Sequence, residues 1–283
     1  MCANRFTSRL ENRTQGKAVK TFKSEFDKIL KLFKASENFA FSRFSDGELF
    51  IMQNKTVVLA KDYYITGDVK GPNIYTEEEQ KEFLPARDQL YREKLLESYK
   101  YIQDNYFKGI CTGTDAHVGD KNFDYQIELH GGDHETLTFS NLLINANYRR
   151  FIEELVPLFA EREIIYVVNK LADTDRLPFE IKKKFEIGSN CMINDYSAVE
   201  DIRKYIASNN IRDHLILCSA ASLSNFVIYE NFKEAPNNTY LDIGSCLNPL
   251  LKLEGWKHTR GYLTHYWLGS NSSFGTQVDQ WGI

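Results

Sequence analysis

The chain contains no C-x-x-C pair; its five cysteines (Cys2, Cys111, Cys191, Cys218 and Cys246) are scattered over 283 residues. That spacing supports neither a disulfide framework nor a cysteine zinc site, and it points to a reducing compartment. No apolar run approaches the ~20 residues that a membrane span needs, and Met1-Cys2-Ala3-Asn4-Arg5 does not open a signal peptide. A cytoplasmic protein without a transmembrane segment is therefore expected. Basic residues form no stripe beyond 1–34, and the net charge is −4, which argues against a nucleic-acid partner. Neither an internal repeat nor a low-complexity linker divides the chain. The expectation is a polar, mobile N-terminal arm over 1–20 followed by a single domain over 21–283.

What is present is an ordinary globular composition, 42% apolar, 26% charged and 13% aromatic, in a chain long enough to bury a sizeable core. Short apolar runs at 39–44, 107–111, 164–168, 215–218 and 240–243 read as buried strands, and 191–193 as another short one. Helical spacing marks 21–36, a segment ending near residue 162, 198–208, and a stretch that opens at Ser219 and runs to about residue 232. Residues 178–186 are also expected to be helical, and 62–68 to form a loop over the site. Thr76 followed by Glu77, Glu78 and Glu79 predicts a capped helix that continues, past a possible break at Pro85, to about residue 105. Apolar strands alternating with amphipathic helices imply an α/β fold with a mainly parallel sheet covered by helices on both faces.

The chemistry concentrates at Arg43-Phe44-Ser45-Asp46-Gly47-Glu48, where a strand gives way to a helix. Ligands of open α/β sheets bind outside the carboxyl ends of the strands. Asp46 and Glu48, two residues apart around a glycine, could hold a hard divalent cation, with Gly47 permitting close approach. The same run fits a capping box, with Ser45 as cap and Glu48 bonding back. Arg43 favours the first reading, because an arginine beside two acids suits a metal-bound phosphate. Ser219 and Ser222 open a later helix whose backbone N–H groups and hydroxyls could take an anion, or simply cap it. His130-Gly131-Gly132-Asp133-His134 shares only its histidine spacing with the H-E-x-x-H zinc motif; the glutamate is missing and the glycines oppose a helix.

Ser42-Arg43-Phe44-Ser45-Asp46-Gly47-Glu48 resembles the R-F-G-D-G-E signature of the GT-D fold glycosyltransferases, with Ser45 in place of the family's usual glycine. Those are Rossmann-like enzymes first known as a bacterial domain of unknown function. The similarity of element order extends over roughly 38–250, and the first motif is its specific part. The resemblance implies transfer of a sugar from a nucleotide-diphosphate donor, such as a UDP-hexose or UDP-pentose (glucose or xylose), to a hydroxyl of an oligosaccharide or glycoprotein. It also implies Mn2+ or Mg2+ on Asp46 and Glu48, and the donor diphosphate near Arg43, Ser45, Gly47, Ser219 and Ser222. If the reaction inverts the anomeric centre it needs a general base, for which Asp115, Asp133, His134 and Glu135 are candidates because they follow predicted strands among glycines. Trp256, Tyr262, Tyr266 and Trp267 could stack on acceptor sugar faces or pack the tail. Two rival readings are a metal-dependent phosphohydrolase acting on nucleotide sugars and a non-catalytic carbohydrate-binding protein. Leu241-Asp242-Ile243-Gly244-Ser245 also resembles the first motif of nucleoside-dependent methyltransferases, but that motif needs more glycines and several strands after it, so a methyltransferase is not the expected reading.

Overall fold

The segment Ala40-Phe41-Ser42-Arg43-Phe44 forms a strand with four of its five residues buried, as expected where a sheet is covered on both faces. The computed structural model describes residues 20–73, 75–112, 119–255, 260, 261 and 263. The expected arm over 1–20 thus lies, apart from Lys20, outside the described residues, as do Asp115 and the aromatic residues Trp256, Tyr262, Tyr266 and Trp267. In chain order come α1 (Phe22–Lys34), β1 (Ala40–Phe44), α2 (Asp46–Met52), β2 (Val57–Leu59), β3 (Tyr63–Thr66), β4 (Val69–Pro72) and β5 (Lys81–Phe83). Then follow α3 (Gln89–Lys100), β6 (Tyr106–Ile110), α4 (Gly119–His130) and β7 (Leu137–Phe139). Helical turns over 145–159, with a π-turn at Phe151–Leu155, lead into β8 (Ile164–Asn169) and β9 (Lys183–Ile187). The described elements close with α5 (Ala198–Ser208), β10 (Leu215–Cys218), α6 (Leu223–Glu234) and β11 (Thr239–Asp242).

Seven strands make one sheet in the order β7-β6-β1-β11-β10-β8-β9, and every pairing in it is parallel. All seven carboxyl ends therefore lie along one edge. From β1 the chain moves outward to β6 on one side, whereas β10 and β11 approach β1 from the other. The direction of winding reverses between β1 and β11, the position where such sheets leave a crevice for ligands. Helix α6 packs on both of these strands. It is buried almost all round, and inside it Asn225 donates to Ser42 Oγ at 3.0 Å and to the Arg43 carbonyl at 2.7 Å. A polar residue so deep must be bonded, and these bonds fix the helix against the last turn of β1.

At the far side, α1 begins with a reciprocal cap: Ser24 N–H donates to Thr21 Oγ1 at 3.0 Å and Thr21 N–H to Ser24 Oγ at 2.9 Å. Its apolar stripe of Phe22, Phe26, Ile29, Leu30 and Phe33 is buried, with the Phe22 ring tilted against Phe139 of β7 at 4.3 Å between centroids. A second, antiparallel sheet has the order β4-β3-β2-β5 and shares the same hydrophobic core through Val57 and Phe83.

Four elements differ from the sequence expectation. The helix expected from Thr76 to residue 105 is a single 3-10 turn (Glu77–Glu79), then β5, with helix resuming only at Gln89. Thr76 N–H does bond Glu79 Oε2 at 3.2 Å, but a cap signal is the same for one turn as for many. Pro85 keeps Leu84 out of helical geometry, and Asp88 captures the Leu84 N–H at 2.8 Å. Residues 62–68 are not a loop but most of a hairpin, turning at Gly67 with φ +63°. Within 178–186, expected to be helical, the chain enters the edge strand β9, where Lys183 and Lys184 are half-buried and Glu186 exposed on a strand flanked on one side only. Cys191–Asn194, expected as a strand, is a helical turn entered through Asn190 at φ 51°.

Candidate functional site

At the carboxyl end of β1, Ser45 stands in extended geometry and α2 starts at Asp46. Glu48 reaches back so that its Oε2 accepts the Ser45 N–H at 3.0 Å, the box expected from the sequence. Its other oxygen, Oε1, accepts the Ser222 hydroxyl at 2.5 Å, across from the start of α6. Glu48 is consequently buried, 6% exposed, with both oxygens oriented by protein donors. Asp46 is exposed; its Oδ1 accepts the neighbouring Gly47 N–H at 2.9 Å. The two carboxylates thus differ: one is locked in place and the other faces outward.

Arg43 ties three strand ends together. Its Nε donates to the Ser140 carbonyl after β7 at 2.5 Å, and Nη2 to Ser45 Oγ at 3.3 Å. The rest of the guanidinium lies on the backbone of Gly244 after β11, where a Cβ would come 1.8 Å from Nη1. Gly244 also has φ +49°, so both space and backbone conformation demand glycine there. Beside it, buried Asp242 accepts the Gly244 N–H at 2.9 Å through Oδ1 and the Arg43 N–H at 3.3 Å through Oδ2. Burial pushes the Asp242 carboxyl up to about 7; the Arg43 guanidinium pulls against that rise, and Glu48 adds to it.

The structure brings together Arg43, Ser45, Asp46, Gly47, Glu48 and Ser222 from the residues expected at the site. Ser219 also lies at this edge, at the end of β10, but its hydroxyl is bonded to Tyr166 Oη at 2.9 Å. Sequence reasoning missed Asp242 as a site residue, Asn225 and Lys81. Lys81, from β5, brings its Nζ to 2.9 Å from the point where a Cβ on Gly47 would sit. No motif surrounds it in the sequence. Asp242 and Asn225 sit within readable elements, at a strand's end and one turn into a helix, and those positions were the available signal.

Asp133, His134 and Glu135 are not at this site. They precede β7 and lie at the amino edge of the sheet, opposite Asp46, because β7 runs parallel to β6 with Leu137 beside Lys108. There they are absorbed by packing: Lys20 Nζ donates to Asp133 Oδ1 at 3.1 Å and to the His134 carbonyl at 2.7 Å, and Lys28 Nζ to the Glu135 carbonyl at 2.9 Å. His134 Nδ1 is 2.8 Å from Thr136 Oγ1. Nearby, fully buried Lys108 has Nζ 2.8 Å from His130 Nε2. With His130 Nδ1–H donating to the Gly132 carbonyl at 3.3 Å, Nε2 is left as an acceptor for the ammonium. Burial brings the Lys108 ammonium down to about 7, and burial together with the charge of Lys108 brings His130 down to about 4. This is a sequestered pair in the core.

A divalent cation at Asp46 and Glu48 has to be judged on their oxygens. Among the described residues no group of three or more His, Cys, Asp or Glu gathers as a closed metal cage. The arrangement fits instead a metal that takes one or two carboxylates and completes its shell with substrate phosphates. Asp46 has an oxygen without a partner among the described residues in its outward-facing carboxylate, and each Glu48 oxygen keeps a lone pair beyond its one hydrogen bond there.

A parallel sheet whose winding reverses beside β1, with polar groups collected there at its carboxyl edge, defines a Rossmann-like α/β fold. Within that class the chain has the fold of the structures described under domain of unknown function 1792. One, described as a new glycosyltransferase (DUF1792) from Streptococcus sanguinis, superposes with a TM-score of 0.51 and 12% identity over 90% of this chain and 92% of that one. A selenomethionine-substituted structure of the same domain gives 0.52 and 11% over 87% and 81%. A third, in which the domain is described as having a distinct glycosyltransferase fold, gives 0.51 and 11% over the same shares. No family model and no curated protein matches the sequence. Among the described residues, no helix is long and apolar enough to cross a membrane.

Proposed function

We propose that this protein is a metal-dependent glycosyltransferase that moves a sugar from a nucleoside-diphosphate donor, a UDP-sugar, to a hydroxyl of a glycan acceptor. The observation that carries the reading is the pairing of an outward Asp46 with a locked Glu48 in one turn at the carboxyl end of β1, beside Arg43 and opposite Asp242. The shared fold with structures described as glycosyltransferases supports it.

Asp46 and Glu48 would hold Mn2+ or Mg2+. When bound, the cation supplies neutralisation of the charge that grows on the departing nucleotide. The protein's own part is preorganisation. Ser45 N–H and the Ser222 hydroxyl hold Glu48 in a single orientation, so none of its rotamer freedom has to be lost when the donor arrives. Asp242 fixes the backbone at Arg43 and Gly244, and the glycine leaves room for the guanidinium to lie flat across the crevice. Ser45 and Gly47 flank the acid and stay in the proposed donor subsite. Ser219 and Ser222 enter it as supports of the wall, through Tyr166 and Glu48. Asp115 remains the proposed base, since the other three candidates stand at the opposite edge.

A screen of nucleotide sugars, with and without Mn2+, for thermal stabilisation and nucleotide release tests the proposal. The expected result is a higher melting temperature with a UDP-sugar and Mn2+ together, and nucleotide release that depends on an acceptor glycan. Rapid donor hydrolysis without acceptor would make it a phosphohydrolase, and binding without turnover a carbohydrate- or nucleotide-binding protein. The absence of stabilisation by any nucleotide sugar would overturn the reading.

A further inference from the structure

Strand β5 is the edge of the four-stranded sheet, and Lys81 pairs there with Leu59 of β2. The outer edge of a strand normally presents unpaired backbone groups. Here Asn190, just after β9 of the large sheet, fills that edge on both sides of Lys81. Its N–H donates to the Gln80 carbonyl at 2.9 Å, and its Oδ1 accepts the Glu82 N–H at 2.9 Å. Lys81 is therefore held between two sheets, by β2 on one flank and Asn190 on the other. Asn190 takes a left-handed φ of 51° to do this, tolerable for asparagine.

The side chain so anchored crosses to the Asp46–Glu48 turn and ends against Gly47. Gly47 has no left-handed φ, so its backbone would accept other residues; what the glycine provides is room, because a Cβ would stand 2.9 Å from Lys81 Nζ. Lys81 is half-buried, yet among the described residues it forms no ion pair and no side-chain hydrogen bond. Three other partly buried cations are satisfied by polar protein groups, Lys20 by Asp133 and two carbonyls, Arg43 by Ser140 and Ser45, and Lys94 by Glu97, while half-buried Lys183 rests over the Phe185 and Tyr205 rings. The neighbouring acids do not supply the missing partner, since Asp46 is bonded to Gly47 and Glu48 to Ser45 and Ser222. A half-buried cation fixed at its root and without an anion among the described residues is placed to receive one from outside.

Resting on the donor reading above, we propose that Lys81 is a donor-binding residue whose ammonium contacts the diphosphate of the nucleotide, and that the small antiparallel sheet delivers it to the β1 crevice. The ligand it takes is a nucleoside diphosphate, and its contribution is to the terminal phosphate group.

The test is calorimetric titration of UDP and of UMP, with Mn2+, into the full chain as wild type, Lys81→Met and Lys81→Arg, with melting temperatures alongside. Lys81→Met should melt like the wild type and bind UDP about 10- to 100-fold more weakly, the range for one charge-assisted contact. Its UMP affinity should change by less than about 3-fold, so that the preference for UDP over UMP collapses. Lys81→Arg should restore most of the UDP affinity. Unchanged UDP binding by Lys81→Met, or an equal loss for UDP and UMP, would overturn the assignment of Lys81. Wild-type protein that binds neither nucleotide would instead overturn the donor reading itself, and the Lys81 assignment with it.

Discussion

The two edges of the seven-stranded sheet are both rich in titratable groups, and only one of them is arranged for an outside ligand. At the amino edge, Lys20 bonds Asp133 and the His134 carbonyl and Lys28 bonds the Glu135 carbonyl, while Lys108 and His130 form a closed pair under Tyr99 and Tyr106. At the carboxyl edge the groups come from different strand ends and are held by backbone and hydroxyl donors. These leave Asp46 facing out and Lys81 unmatched among the described residues. Polar density alone therefore does not mark a site. What matters is whether each charge has its partner inside the fold, and the parallel topology decides which charges can meet.

The comparison can be broken first at the amino edge, where the largest stability effect is expected. Lys108 has a folded pKa of about 7 against an ordinary 10.5, so between those values the unfolded chain binds the extra proton. Stability must therefore rise as pH increases through this window, by on the order of 3 kcal/mol between pH 7 and 9.5. His130, brought down to about 4, adds a rise at lower pH, between about 4 and 6.5. Lys108→Met should be more stable than the wild type at pH 7 and lose the alkaline rise in urea unfolding. The same slope in both proteins would mean that the pair is hydrated and not sequestered.

A smaller effect sharpens the contrast. Asp133→Asn, His134→Gln and Glu135→Gln should each leave the proposed glycosyl transfer within about 2-fold of wild type, because surface-edge substitutions move stability by ~0.5 kcal/mol and these groups lie across the sheet from Asp46. A 10²-fold loss in any of them would place a catalytic group at the amino edge and dissolve the distinction.

Much of the large sheet was legible in the sequence for a physical reason. Strands such as Ile164-Ile165-Tyr166-Val167-Val168 are buried on both faces and must be apolar throughout, which no surface helix tolerates. Legibility failed where a strand is covered on one side. Lys183-Lys184-Phe185-Glu186-Ile187 spends its polar residues on an open edge and so imitates a solvated helix. It failed again at Thr76, since a capping box reports the start of a turn and not its length. At the site, the β1 turn could be read because its acids, arginine and glycine are contiguous. Lys81 could not, because its role depends on Asn190, 109 positions later, bonding both its neighbours. The base candidates before β7 misled because glycines and acids after a helix look the same at either edge of a sheet; only the direction of the strand separates them.

Turnover and melting temperature of Asp46→Asn and Glu48→Gln, at saturating Mn2+ and UDP-sugar, test the central claim most directly. In Glu48→Gln the amide oxygen can still accept the Ser45 N–H and the amide nitrogen can donate to the Ser222 hydroxyl, so the cap survives. Asn replaces Asp near a helix start with little loss, and both variants should hold their stability to within ~1 kcal/mol. If the pair holds the cation on the donor diphosphate, each variant should lose on the order of 10²-fold or more in turnover while melting like the wild type. Near wild-type turnover in both would contradict that assignment and leave Asp46 and Glu48 as the start of a helix.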